Sequence, residues 1–483
     1  MPQSQQILAN NQKWYREMRR QSYRSALITL CKLMLVAVAT LIFTCGWLLI
    51  QHSYKLHATN TLVLMGLYAA MFFILTKAYG GFRADQSSTE LVFSQLLAVW
   101  LTDTFIFVMQ ALVLSAIPSI GYALLVFAGH VACAFLWPNM VTRLYARMKK
   151  PQRTAIIYHD EEAEPFIQTL RKKGTHYTVV KELRLDQVEG RLAEELSDIK
   201  SVFICGVPST QRNDIIKYCV ARGIEAYVRP RTGDILMAGS KNVQMFHVPV
   251  LLCRRSSPPM YYSVFKRAMD ILISLLMLII FSPFMLGAAI AIKRHDGGSV
   301  FYKQERYTRN GKVFKMIKFR SMVPDAEVDG VARLASEGDS RITPVGAIIR
   351  KTRIDELPQL FNILWGDMSI VGPRPERPVI AAQYRQTLPE FDLRLQVKAG
   401  LTGYAQVHGK YNTEPYDKLQ MDLLYIANQS VVEDLKLILY TLKILFLPES
   451  TEGVDVNQIT ALDYENEANR TEKWEKQGEH WAD

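Results

Sequence analysis

The sequence predicts a membrane protein of mixed α and β structure. Its parts are an N-terminal four-helix transmembrane bundle, a small Rossmann-like α/β domain with a mainly parallel sheet, and a C-terminal, mostly helical domain with a re-entrant membrane hairpin. Three observations lead there. Four apolar runs open the chain, a block of alternating short strands and helices follows, and a fifth apolar run carries Ser282-Pro283 at its middle with cations on both flanks.

The first four runs lie at about 26–50, 61–76, 91–114 and 120–137. Each has the apolar character of a membrane crossing, although the second is short. Lys32 sits at the edge of the first, where its stem can snorkel to the interface. Asp103 interrupts the third; such a carboxylate is either functional or satisfied by neighbouring helices. Lys77 and Arg83 follow the second run, and Arg143 to Lys150 follow the fourth, so the positive-inside rule puts both ends of the bundle in the cytoplasm. The fifth run, 271–292, is preceded by Lys266 and Arg267 and followed by Lys293 and Arg294. Pro283 removes a backbone hydrogen bond and bends a helix. Cations on both sides favour a re-entrant helix–break–helix hairpin over about 264–294, with both ends cytoplasmic. The alternative, a kinked spanning helix, would put everything after it outside.

The chain of 483 residues carries a net charge of +11, unevenly. Residues 449–483 hold ten Asp and Glu against three Lys and Arg, so the remainder carries about +18. Arg16, Arg19, Arg20 and Arg24 cluster beside an apolar run, which fits an anionic leaflet better than a duplex. No helix-turn-helix or zinc-finger spacing supports nucleic acid. The cysteines, Cys31, Cys45, Cys133, Cys205, Cys219 and Cys253, form no CxxC or Cys/His cluster, which argues against a sulfur-bound metal and a disulfide framework. The first 25 residues are polar and lack a cleavage site, unlike a signal peptide. The resulting division is a cytoplasmic segment at 1–25, the bundle at 26–150, the α/β domain at 151–252, the C-terminal domain at 253–448 and an acidic tail at 449–483.

In the α/β domain the patterns predict strands near 154–158, 177–181, 201–206 and 224–228, with helices near 161–173 and 211–222. The turn after the first strand, His159 to Ala163, is acidic and lacks glycine. That disfavours a dinucleotide site, and the domain reads as regulatory or structural.

The densest chemistry lies further on. In Arg350-Lys-Thr-Arg-Ile-Asp-Glu-Leu-Pro-Gln-Leu-Phe-Asn362, Asp355 and Glu356 stand among Arg350, Lys351 and Arg353. Pro358 belongs in a first helical turn, which predicts a helix starting at about Asp355. The pair is then either an ordinary helix cap or a site where guanidinium groups favour ionised carboxylates and attract phosphate. Upstream, Lys312 to Met322 alternates cationic and apolar residues, placing Lys318 and Arg320 on or beside a strand. It either grips a diphosphate or forms a basic edge facing solvent or lipid headgroups. Downstream, Gly372-Pro-Arg-Pro375 holds Arg374 with little freedom. Lys398 to Gly409 is glycine-rich, suiting either a nucleotide or a structural turn. Asp422 and Asp434 lie on helical stretches.

Several of these motifs together resemble the bacterial sugar transferase family, the monotopic phosphoglycosyl transferases. They are Phe265-Lys-Arg with Asp270, Ser282-Pro283, Lys318-Phe-Arg-Ser-Met322, Asp355 to Asn362, Gly366-Asp-Met-Ser369, Val371-Gly-Pro-Arg-Pro375 and Gly400-Leu-Thr-Gly403, within about 263–447. The resemblance implies transfer of a sugar 1-phosphate from a UDP-sugar to undecaprenyl phosphate, with release of UMP, as the first membrane step of capsule, exopolysaccharide or O-antigen synthesis. It implies Asp355 as nucleophile, Glu356 as ligand to Mg²⁺, and Arg350 and Arg374 as phosphate or nucleotide contacts. Lys318 and Arg320 fall in the family's basic motif, and Asp434 matches a site carboxylate; Asp422 is carried as a substrate-binding candidate. Ser282 and Pro283 match the re-entrant anchor. A cytoplasmic (inner) membrane location and contact with membrane lipids complete the expectation; the oligomeric state stays open, the bundle and α/β domain offering surface for a homodimer. Tyr404 stands where the family often has Trp, and His408-Gly-Lys-Tyr-Asn412 replaces an Asn-Gly-Arg-Asn run, so the donor sugar stays open. The rival readings are a membrane scaffold and a direct glycosyltransferase that would release UDP.

Overall fold

A computed structural model describes residues 26–49, 58–84, 86–148, 151–159, 164–173, 177–245, 248–256, 258–323, 341–409 and 413–445. The N-terminal segment 1–25, the acidic positions 160–163 and the tail 449–483 read from the sequence lie outside the described residues. The chain forms two compact units, one ending at Arg229 and the other beginning at Pro230.

In the first unit, α1 (Ala26–Leu49), α2 (Ala58–Ala78), α3 (Ser88–Leu114) and α4 (Ile120–Met148) are long and apolar enough to cross a membrane. The second helix is longer than its apolar run suggested. Polar side chains tie the four together. Trp137 Nε1 donates to the Cys31 carbonyl at 3.1 Å, and His130, fully buried, lies 2.9 Å from Asp103 Oδ2 and 3.0 Å from the Ala39 carbonyl oxygen. Tyr68 OH is 3.1 Å from the same imidazole. Asp103 is therefore satisfied inside the bundle, the second of the two readings its position allowed.

The α/β part of this unit comprises β1 (Gln152–Tyr158), α5 (Glu164–Lys173), β2 (Tyr177–Arg184), the short α6 (Leu185–Val188) and α7 (Leu192–Glu195), β3 (Ser201–Cys205), α8 (Ser209–Arg222) and β4 (Glu225–Val228). The four strands are parallel in the order β2-β1-β3-β4. Strand alternation sends Ala155 and Ile157 to one face with Ile215 and Cys219, and Ile156 to the other with Ile167. Burial on both faces explains why the central strands read as continuous apolar runs.

The second unit contains α9 (Thr232–Ala238), the hairpin β5 (Lys241–Met245) and β6 (Val248–Leu252), α10 (Met260–Asp296), the hairpin β7 (Phe301–Tyr307) and β8 (Val313–Phe319), α11 (Pro344–Lys351), α12 (Gln359–Trp365), β9 (Met368–Val371), α13 (Pro378–Thr387), β10 (Ala399–Thr402), α14 (Tyr404–His408), α15 (Pro415–Ala427) and α16 (Val431–Leu445). Residues 230–252, read from sequence with the α/β domain, belong here. Ile235 is buried with Leu423 and Ile426, and Gln420 Nε2 donates to the Pro230 carbonyl at 2.7 Å.

The fifth apolar run remains helical through Ser282-Pro283, where the sequence predicted a break. Pro283 has no N–H for the carbonyl four residues earlier, that of Ile279. Ser282 Oγ donates to that oxygen instead, at 2.9 Å. The helix also anchors the core. Arg267 donates to the Ile363 and Leu364 carbonyls at 2.6 and 2.7 Å, satisfying the otherwise open end of α12. Buried Asp270 accepts from Ser369 Oγ at 3.0 Å and Ile370 N at 2.9 Å.

Asn362 performs a similar service across the core. Its Oδ1 accepts from Ile317 N and its Nδ2 donates to the Lys315 carbonyl, each at 3.0 Å, so one side chain completes the free edge of β8. Asn362→Leu is expected to destabilise by about 2–3 kcal/mol by leaving the buried Ile317 N–H and the part-buried Lys315 carbonyl without this partner. Chemical denaturation of detergent-held protein measures this, and an unchanged midpoint would show the edge to be solvated.

Candidate active site

The stretch 350–362 folds differently from its sequence expectation, for a reason that shapes the site. Pro358 has no N–H to give the Ile354 carbonyl, so Leu357 N bonds that oxygen at 3.1 Å. The result is a single 3₁₀ turn, Ile354–Glu356, and the α-helix starts only at Gln359, not at about Asp355. Arg353, just before the turn, is left-handed at φ 56°. Arginine there costs roughly 1 kcal/mol against glycine, yet it brings Arg353 Nη1 to 4.0 Å from Glu356 Oε1.

Two other cations converge on that oxygen. Lys318 Nζ, from β8, lies at 3.3 Å, and Arg374 Nη2, from the Gly372–Pro375 turn, at 3.4 Å. Burial pushes the Glu356 carboxyl up, but Lys318, Arg374 and Arg353 together outweigh it and hold it at about 2 against an ordinary 4.5. Burial also pulls the Lys318 ammonium down, with Glu356 opposing. Asp355 differs from its neighbour. It is buried, and among the described residues its Oδ1 has no hydrogen-bond partner. Burial and then the Glu356 charge push its carboxyl up, against the pull of Lys318, Arg350 and Arg353. Arg350 thus reaches the site through its charge.

A folded-state value near 2 for Glu356, below its value in the unfolded chain, means that the folded protein binds this proton less tightly. The associated stability is complete above pH 4.5 and is lost as pH falls from 4.5 towards 2. It amounts to about 3 kcal/mol at most at neutral pH. Glu356→Gln is therefore expected to flatten the pH dependence of unfolding in that window, and equal slopes for both proteins would contradict it.

The other sequence candidates lie outside this cluster of contacts. Arg320 is buried against Asp296, at the end of α10, and ties that end to β8. Asp434 is fully buried; it takes hydrogen bonds from Tyr262 and Tyr425 at 2.8 Å each and from Lys266 at 2.9 Å, so both its oxygens are occupied. Asp422 pairs with Arg394 at 2.7 Å behind the Arg374 turn. Ser282 and Pro283 sit on α10. Glycines of the Gly-rich loop and of the facing Gly372 turn are consumed by the fold: a Cβ at Gly400 would stand 2.1 Å from Gly372 N, one at Gly403 2.2 Å from Gly372 O, and one at Gly372 2.3 Å from Lys398 O. They let β9 and β10 meet, which is the structural-turn reading of that loop.

Sequence reading did not single out Arg353, Arg306 or Arg394 as site candidates. Arg353 was visible as a cation beside the carboxylate pair. Arg394 lies in a 3₁₀ segment, Pro389–Gln396, whose pattern carries no signal.

An ionised, cation-held Glu356 beside a buried carboxylate with an uncommitted oxygen suits chemistry on phosphate esters. The segment that builds this site, 261–448, matches the sequence model of one family, described as bacterial sugar transferase. An exopolysaccharide production protein PSS of Rhizobium leguminosarum bv. phaseoli is 42% identical over 189 residues, covering 37% of this chain and 93% of that protein. A UDP-glucose:undecaprenyl-phosphate glucose-1-phosphate transferase of Klebsiella pneumoniae is 44% identical over 183 residues, 37% of this chain and 39% of its own length. A UDP-N-acetylgalactosamine-undecaprenyl-phosphate N-acetylgalactosaminephosphotransferase of Aeromonas hydrophila is 41% identical over 189 residues, 38% of this chain and 44% of its own. The chain belongs to the bacterial sugar transferase family. The matched part spans less than half the length of the Klebsiella and Aeromonas proteins.

Proposed function

We propose that this protein transfers a sugar 1-phosphate from a UDP-sugar to undecaprenyl phosphate at the cytoplasmic face of the inner membrane, as the first membrane step of an exopolysaccharide, capsule or O-antigen pathway. The observation that carries the reading is the division of labour at 355–356: a buried Asp355 with an uncommitted Oδ1 beside a Glu356 held ionised by Lys318, Arg353 and Arg374. An Asp355 oxygen attacks the sugar-proximal phosphorus, and the bond from that phosphorus to the bridging oxygen breaks. UMP leaves with the electron pair, and an aspartyl phosphosugar remains. An oxygen of undecaprenyl phosphate then attacks the same phosphorus, freeing Asp355 and forming the polyprenyl diphosphate sugar. Covalent catalysis of this kind divides one difficult transfer into two easier steps. Lys318 and Arg374 are placed to receive phosphate oxygens, and Arg350 and Arg353 to keep Asp355 ionised.

Mg²⁺ fits this donor set. Lys318, Arg353 and Arg374 approach Glu356 at Oε1, and Oε2 of the same carboxylate is the hard ligand it would offer. Mg²⁺ needs only one or two carboxylates when substrate phosphates supply the rest. Glu356 would hold the ion, which would neutralise charge on the diphosphate.

Both ends of α10 are tied to the same unit. Lys266 binds Asp434 near its start; at its end Ile292 packs with Phe319 and Ile349, and Asp296 binds Arg320. Between them Leu272, Leu276, Ile279 and Leu286 are exposed. A straight helix from Lys266 to Asp296 measures about 45 Å, enough to cross a hydrocarbon layer of about 30 Å. A crossing would place the two attachments on opposite faces. Their common unit supports a re-entrant helix that dips into one leaflet and keeps Asp355 with the cytoplasmic nucleotide sugar.

Purified protein with Mg²⁺, undecaprenyl phosphate and a panel of UDP-sugars tests the proposal. UMP release with one donor is the expected result and identifies the sugar. Release of UDP would indicate direct glycosyl transfer, and silence across the panel would favour a scaffold.

A further inference from the structure

Arg374 stands on a turn rather than on a helix or strand, so something must hold it against Glu356. Three consecutive carbonyls of that turn are claimed by other elements. Arg394 Nη2 donates to the Arg374 carbonyl at 2.9 Å, Arg306 Nη1 to the Pro375 carbonyl at 3.0 Å, and Tyr307 N to the Glu376 carbonyl at 3.0 Å. Of these, Arg394 reaches furthest. Its buried guanidinium also lies 2.7 Å from Asp422 Oδ2 on α15 and 3.8 Å from Glu376 Oε1, and 4.9 Å over the Phe391 ring. Asp422 is likewise buried, which pushes its carboxyl up to about 6, Arg394 pulling against this.

We infer that Arg394 is a positioning residue for the transfer reaction, holding the Arg374 turn in register with Glu356, and that Asp422 acts as its buried counter-ion rather than as a substrate contact. The planar fork is what the role needs. One guanidinium meets a carbonyl and two carboxylates from different elements, and a lysine offers a single point charge instead. A turn left free to shift by about 1 Å would cost on the order of 100-fold in rate, although Arg394 itself stays away from substrate. The inference rests on the role given to Arg374 above.

The test combines hydrogen exchange with a double-mutant cycle in the full-length, membrane-held protein. Arg394→Lys is expected to speed amide exchange in residues 372–376 about 10-fold or more, the loss of one charged hydrogen bond. It is also expected to lower kcat/KM for the UDP-sugar about 10- to 100-fold. The kinetic loss should vanish when Arg394→Lys is made on an Arg374→Ala background, because the group being positioned is gone. Asp422→Asn keeps the arginine and should move both readouts in the same direction by less, so the inference stays testable if Arg394→Lys fails to fold. Unchanged exchange in 372–376, or a kinetic loss that multiplies undiminished on Arg374→Ala, would overturn the role. If the wild-type protein releases no UMP with any donor, the transferase reading fails, and the exchange measurement still decides whether Arg394 holds the turn.

Discussion

Asp355→Asn is expected to reduce turnover by on the order of 10⁴- to 10⁶-fold, as removal of a nucleophile does, and to abolish any trapped phosphosugar adduct. Stability should change by less than about 1 kcal/mol. The two expectations are linked by the same observation. Asp355 is buried, yet its Oδ1 makes no hydrogen bond among the described residues, so a neutral amide of equal shape loses little in the folded state. UMP release, intact-protein mass after incubation with donor alone, and the thermal midpoint measure the three effects. An adduct that survives the substitution would move the nucleophile elsewhere. In the reaction proposed above, the same carboxyl sets the acid side of the pH–rate profile. It must be ionised to attack, and burial beside Glu356 raises it from its ordinary value of 3.8. Activity is therefore lost on acidification earlier than an ordinary aspartate would allow.

The second large effect concerns folding. Asp434→Ala would leave the Lys266 ammonium, only 16% exposed, without its counter-ion and the Tyr262 and Tyr425 hydroxyls without their acceptor. Removing one member of such a buried pair costs about 3–5 kcal/mol. The expected result is a fall of roughly 6–20 °C in the apparent melting midpoint of the detergent-held protein. Lys266→Met on the Asp434→Leu background should recover much of the loss, because the uncompensated charge is gone. A loss of activity with an unchanged midpoint would instead assign Asp434 to substrate binding.

Local patterns carried much of the architecture. The parallel α/β sheet followed from short apolar runs bounded by polar turns, since strands buried on both faces are apolar throughout. The apolar helices were legible from the length of their continuous apolar runs, although their ends were not. Where the sequence pattern predicted a helix starting at about Asp355, the missing proline N–H turned one turn into 3₁₀ geometry. Where Pro283 predicted a break, a serine hydroxyl supplied the lost partner. Both outcomes turn on a single hydrogen bond that composition does not register.

The candidate site divides in a similar way. The chemical identity of the Asp355-Glu356 pair and the cations nearby was present in the sequence, because the side-chain functional groups are set by residue type, whereas their ionisation depends on what packs around them. Their assembly was not. Lys318 and Arg374 lie 38 and 18 residues from Glu356 along the chain, and only the packing of β8 against α12, together with the Gly372–Glu376 turn, brings them to one oxygen. Contacts between other elements send Arg320 to Asp296 and occupy Asp434 with two tyrosines and a lysine. Sequence by itself determined which groups could do the chemistry; tertiary structure decided which of them meet, because a contact of a few ångströms between distant residues depends on every element packed between them.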